Sequence, residues 1–200
     1  MTGKVAKRRA DLKQRLIEAA EAQIVRGGMA SVKARDLATA AGCSLGAIYN
    51  VVDDLQDLIL EVNGRTFLKL GQKVEDSVAE TDASPRGRLI LMSNAYLDFA
   101  AENANLWRAL FDVRMPADGP VPDWYLSALG KLFANIRAPL GDLFPEMDDQ
   151  PLELMTRAMF SSVHGIVLLG LENRISGVPQ DNIRQMIAQV LSRIGPEEKI

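Results

Sequence analysis

Apolar residues recur along this chain at three- and four-residue intervals, the period of one face of an α-helix, and no stretch alternates as a strand would. Leu12, Leu16, Ile17, Ala20 and Ile24 predict a first helix from about Lys7 to Arg26, ended by Gly27-Gly28. Ser31 is expected to cap a second helix that turns Val32, Leu37 and Ala38 inward and Lys33, Arg35 and Asp36 outward. Ala41-Gly42-Cys43 makes a turn, and Ser44 caps a third, short helix from Leu45 to Asn50. Asp53 or Asp54 starts a long fourth helix to about Glu80, with Leu55, Leu58, Ile59 and Val62 on one side. Beyond a loop at 81–85, one helix runs from Pro85 to Glu102 and a shorter one from Asn103 to Asp112. Three prolines within residues 116–122 break the chain. A helix from Asp123 is expected to kink or stop near Pro139. A strongly apolar one follows from Leu152 to Arg174, and a last one ends near Ile194.

The fold class is therefore all-α. Two helices joined by a short glycine turn are the mark of a helix-turn-helix, whose second helix enters the major groove of DNA. The outer face of that second helix supports this: Ser44, Ala47 and Asn50 are too small and polar to pack a core, yet suit close approach to base edges. We expect a DNA-binding domain over 1–53 and a helical ligand-binding and dimerisation domain over 54–200.

Charge sharpens the picture. The chain carries a net −3, but its first 50 residues hold nine basic and four acidic side chains, a net of +5, and the other 150 a net of −8. A basic head on an acidic body suits contact with phosphate at one end. One cysteine excludes a disulfide framework, and no Cys/His spacing suits zinc, so neither metal nor cofactor is expected. A single His, a single Cys and the lack of a Gly-rich phosphate loop leave few parts for an enzyme. No run of 18 apolar residues or signal-peptide core is evident, which leads us to expect a cytoplasmic protein without membrane contact.

The order Arg15-Leu16-Ile17-Glu18-Ala19-Ala20, Gly27-Gly28, Ser31-Val32, Leu37-Ala38 and Ala41-Gly42-Cys43-Ser44-Leu45-Gly46-Ala47-Ile48-Tyr49 resembles the DNA-binding domain of the tetracycline-repressor (TetR) family. The resemblance implies a homodimeric, one-component regulator, usually a repressor, that binds a palindromic operator in double-stranded DNA and is released by a small-molecule effector. It implies that Tyr49 packs under the recognition helix and turns its hydroxyl to phosphate. Ser44 then acts as cap, Gly46 permits close backbone approach, and Lys33 and Arg35 meet phosphate or the groove edge; Leu45 and Ala47 complete the surface. Asn50 either hydrogen-bonds adenine or caps its helix. Three departures stand out: Ala47 for a hydroxyl residue, Val51-Val52 for the usual His-Phe, and Leu55 for a lysine. The basic arm Lys4, Lys7, Arg8 and Arg9 is expected to compensate by reaching phosphates or the minor groove. Cys43, usually valine in the family, reads as a small buried hydrophobe.

In the body, Met159 to Leu171 is apolar nearly all round, interrupted by Ser161, Ser162, Gly165 and Gly170. With Val163, Val167 and Leu171 it is expected to pair with the stripe Ile183, Ile187, Val190, Leu191 and Ile194, making a four-helix interface with a second chain. A monomer's own core is the alternative. Val163-His164-Gly165 resembles the Trp-His-Gly motif of one C-terminal domain type in the family, and His164 is read as interior, interfacial or ligand-facing. Tyr96, Phe99, Trp107, Phe111, Met115, Trp124, Tyr125 and Met159 are the candidate lining of an effector cavity, with plain core as the alternative. No Lys or Arg cluster accompanies them, so an apolar or amphipathic effector is expected rather than a polyanion. The rival reading is a helical protein–protein adaptor with a relict head.

Overall fold

The computed structural model describes residues 2–113, 121–172 and 179–195. Met115, the expected helix end at Arg174 and the last residues of the chain lie outside these. Among the described residues nine α-helices follow one another: α1 (Thr2–Gly27), α2 (Ala34–Ala41), α3 (Leu45–Ile48), α4 (Leu55–Asp76), α5 (Pro85–Glu102), α6 (Ala104–Asp112), α7 (Asp123–Leu143), α8 (Asp149–Leu171) and α9 (Ile183–Leu191). No strand occurs among the described residues. The fold is all-α.

The chain divides into two compact units, one of Met1–Leu68 with Asn103–Leu126, the other of Lys69–Glu102 with Ser127–Ile200. The first is larger than the reading head. Its core joins Leu16, Ile17, Ala20 and Ile24 of α1, Leu37, Ala38 and Ala41 of α2, and Ile48 of α3 to Leu58 and Val62 of α4 and Leu106 and Ala109 of α6. Val51 and Val52 are buried in the same cluster, and Leu55 and Cys43 pack against it. Two of the three departures from the family pattern thus serve packing. Within this unit α4 buries Asn63, whose Nδ2 donates to the carbonyl of Ala109 at 2.8 Å, fixing α6 against it. An added Cβ on Gly64 would lie 2.5 Å from Trp124, so glycine there makes room for the indole.

Local chemistry sets the boundaries. Gly28 at φ +71° ends α1, its N–H on the Ile24 carbonyl at 2.8 Å. Gly42 at φ +64° ends α2 in a Schellman turn: the Cys43 N–H returns to Ala38 at 2.9 Å and the Gly42 N–H to Thr39 at 3.2 Å. Asp54 and Asp57 form a capping box on α4, Asp54 Oδ1 taking the Asp57 N–H at 3.0 Å while Asp57 Oδ2 takes that of Asp53 at 2.9 Å.

Four expectations need correction. Ser31 does not cap α2: it lies in a 3₁₀ turn, its hydroxyl 2.7 Å from the carbonyls of Gln23 and Gly28. The free N–H of Lys33 goes instead to the buried Gln23 side chain at 3.0 Å, a partner ten residues back. Helix α1 begins at Thr2 rather than near Lys7, so Lys4, Lys7, Arg8 and Arg9 stand on its first turns. Pro139 does not stop α7, which continues to Leu143; only one intrahelical bond is forfeited near the end, and Leu140 and Leu143 are buried beyond it. The apolar helix begins at Asp149 rather than Leu152, since Pro151 in a first turn lacks only an N–H that would be unbonded anyway.

In the second unit α5, α8 and α9 pack on one another. Leu89, Leu97, Leu152, Val163, Val167, Ile183, Ile187 and Leu191 are buried, and Gly170 brings α8 into contact with Ile183. Ion pairs join Asp98 to Arg184, Arg88 to Asp142 and Arg137 to Asp149.

Candidate nucleic-acid interface

Ser44, in extended backbone at the start of α3, accepts the Ala47 N–H at 3.3 Å. Ile48 is fully buried and anchors the helix to the head core. Everything on the far side is open. Gly46 and Asn50 are exposed, Ala47 is half-buried, and Leu45 and Tyr49, one turn apart, are 45% and 52% exposed. A Cβ placed on Gly46 would meet nothing within 4 Å, and the residue needs no positive φ. The fold itself therefore does not demand glycine there.

Lys33 and Arg35 are exposed at the start of α2. Lys4, Lys7, Arg8 and Arg9 are exposed along the first turns of α1. Further along, Lys13 is held by Glu61 at 2.5 Å and Arg15 donates to the Ala41 carbonyl at 3.1 Å, so these two basic residues brace the head. Sequence reasoning missed Gln23, whose amide supplies the missing cap of α2; only a fold that returns α2 onto α1 reveals it.

The chain matches the family described as tetracyclin repressor-like, C-terminal domain, over residues 89–194. It belongs to the TetR family. An uncharacterised helix-turn-helix transcriptional regulator of Mycobacterium tuberculosis is 26% identical over 174 residues, 86% of this chain and 75% of that one. A protein of unknown function from Rhodococcus sp. RHA1 superposes with a TM-score of 0.73 at 21% identity, covering 91% and 94% of the two chains. The transcriptional regulator FadR of Bacillus subtilis, solved with stearoyl-CoA, superposes with a TM-score of 0.68 at 15% identity over 90% and 97%. At such identities these likenesses concern the fold. The TetR family comprises transcription regulators with a DNA-binding helix-turn-helix.

The candidate ligand residues do not form one group. Trp107, Phe111, Trp124 and Tyr125 belong to the first unit, where Trp107 is buried, Phe111 lies edge-on to it at 5.6 Å and Trp124 covers Gly64. Burial pushes the Tyr125 hydroxyl pKa up, partly offset by a hydrogen bond with Asn63. Tyr96, Phe99, Met159 and His164 belong to the second unit. There a cavity of about 40 Å³ is lined by Val74, Leu89, Met92, Ser93, Tyr96, Leu132, Ile136, Met159, Phe160, Val163 and Leu191. Of the residues proposed from sequence, Tyr96 and Met159 line it. His164 stands behind Tyr96, the phenol 2.7 Å from Nδ1 and Phe160 stacked on the imidazole at 5.6 Å. Burial lowers the His164 pKa. The hydrogen bond between the Tyr96 hydroxyl and Nδ1 takes its direction from the imidazole tautomer.

The dimerisation residues divide as well. Val163, Val167, Ile183, Ile187 and Leu191 are buried within the chain's own second unit, and Val163 and Leu191 face the cavity. Leu171 and Ile194 are half-buried; Val190 is exposed. The outward face of α8 instead carries Leu154, 64% exposed, and Leu169, 40% exposed, with Ala158, Ser161 and Ser162 exposed between them. By length and composition α8, 23 residues with mean hydropathy 1.4, could cross a membrane, yet its inner side packs on α5 and α9.

Proposed function

We propose that the chain is a cytoplasmic, ligand-responsive repressor that binds a palindromic operator as a homodimer. Residues 1–53 read DNA, and 54–200 hold the effector and the dimer seam. The observation that carries this is the outer face of α3 and the turn after it: with Ile48 buried in the core, Leu45, Gly46, Tyr49 and Asn50 are exposed to solvent, and a Cβ on Gly46 would meet nothing within 4 Å. Exposed Lys33 and Arg35 in the helix before it, and the cations at the start of α1, fit phosphates flanking a groove.

The dimer seam in this reading is the exposed stripe of α8, widened by Val190 of α9, where small Ala158, Ser161 and Ser162 let a second copy approach closely. The effector site is the cavity beside Tyr96. At about 40 Å³ it has room for no more than a few water-sized groups. A benzene-sized guest needs about 150 Å³, so the effector binds a widened form of this unit. No cation lines the walls, which favours a neutral apolar compound with one hydroxyl or carbonyl for Ser93 or Tyr96. Val74 in the wall and Leu58 and Val62 in the head core stand on one continuous helix, α4, which we take as the lever.

Fluorescence anisotropy with DNA selected from a random pool tests this reading. The expected result is a palindromic consensus bound at two protomers per site, with steep salt dependence. Absence of a specific complex at every salt concentration refutes it and leaves an adaptor with a relict head.

A further inference from the structure

We propose that the recognition face reads thymine methyl groups, with Leu45 as the specificity-determining residue and A·T pairs at the heart of each half-site. This rests on the regulator reading above and goes beyond it by naming the bases. Between Arg35 and Arg65 the chain contains no lysine or arginine. The usual bidentate reader of guanine, a guanidinium or ammonium on O6 and N7, is therefore missing from α3 and both turns around it. Lys33 and Arg35 stand on the preceding helix, which in this motif crosses the backbone rather than the base edges.

What α3 offers instead is apolar. Ile48 fixes the short helix by filling the core, and Leu45, Gly46, Tyr49 and Asn50 around it are all exposed. Leu45 is 45% exposed, a branched aliphatic side chain left uncovered at the start of α3. The major groove displays a single apolar group, the C5 methyl of thymine. The Asn50 amide supplies the matching polar contact, since it can donate to N7 and accept from N6 of adenine. Open space over Gly46 lets the backbone come close enough for both.

The test begins with selection of bound DNA from a random pool by the full-length protein. Each thymine of the selected half-site is then replaced by deoxyuridine, which removes the methyl and nothing else. One position per half-site should weaken binding about fourfold, roughly fifteenfold when both half-sites are changed, the value of one methyl-sized group taken out of water. Leu45→Ala should bind the thymine and deoxyuridine operators equally. A thermal melt confirms that the variant is folded, and the deoxyuridine series on the native protein does not depend on it. The proposal is overturned by G·C-rich half-sites, by deoxyuridine without effect at every position, or by a penalty that persists in Leu45→Ala. A pool that yields no consensus overturns the regulator reading and this one with it.

Discussion

Replacing Gly46 by alanine separates what the fold needs from what DNA needs. The residue lies in the first turn of α3, its φ is not positive, and the new Cβ would touch nothing within 4 Å. In the isolated protein the substitution should therefore be neutral or stabilising, by up to about 1 kcal/mol, the difference in helix preference between the two residues. Against DNA the same methyl intrudes where the backbone must approach the groove. Overfilling a close-packed contact costs about 1–3 kcal/mol. With two half-sites the low end is about 2 kcal/mol, roughly thirtyfold in Kd. Urea titration reads the first quantity, and fluorescence anisotropy on the selected operator reads the second. An unchanged Kd in a variant as stable as the native protein would refute close approach of this helix to a base edge. Loss of stability would instead reveal a packing role that the open space around Gly46 contradicts.

Neutralising Lys4, Lys7, Arg8 and Arg9 to glutamine should weaken binding to all sequences alike; the slope of log K against log salt should fall by about one for each phosphate that is no longer neutralised, and an unchanged slope removes these residues from the interface. Gly170→Ala should cost about 1–3 kcal/mol in urea unfolding, because its Cβ would fall inside the Ile183 side chain; wild-type stability would show that contact to be soft. Leu154→Glu should leave helicity intact but shift sedimentation from dimer to monomer, whereas a persisting dimer moves the seam elsewhere. The His164 pKa is lowered in the folded chain, so the unfolded chain binds its proton first. The stabilising contribution is complete above the unfolded value of about 6.5 and declines as pH falls through it, levelling off below the folded pKa. His164→Phe should flatten that part of the stability–pH curve, and an unaltered curve would assign it to other groups.

The parts of the head that the sequence spells out are those decided by neighbours in the chain. Gly42 must adopt a left-handed turn for α2 to end, Ser44 caps the helix that starts beside it, and both are visible as residue types at fixed offsets. The cap on α2 is a different case. Gln23 reaches the Lys33 N–H across a fold-back, and a glutamine in the middle of α1 gives no local sign of that duty. The same holds for the aromatic residues. Helical spacing places Trp107 and Tyr125 on apolar faces but says nothing of which face each will meet, and they enter a different unit from Tyr96.

Helix α8 carries two apolar stripes, and the expected dimer residues Val163 and Val167 stand on the inner one. Leu152, Thr156, Val163, Val167 and Gly170 are buried within the chain; Leu154, Ala158, Ser161, Ser162 and Leu169 are not. Each set falls on one side of the helix at spacings that fit its turn, so periodicity alone finds both and ranks neither. The outer stripe is the smaller and more polar of the two. The inner stripe packs within the chain, where Gly170 meets Ile183 of α9 and Val163 and Val167 are buried. An interface between copies has the opposite requirement: it must remain soluble before assembly and close-packed after it. Small residues between two exposed leucines meet both conditions, since they expose little apolar area alone and let two helices pack near the roughly 8 Å lower limit of interaxial distance together.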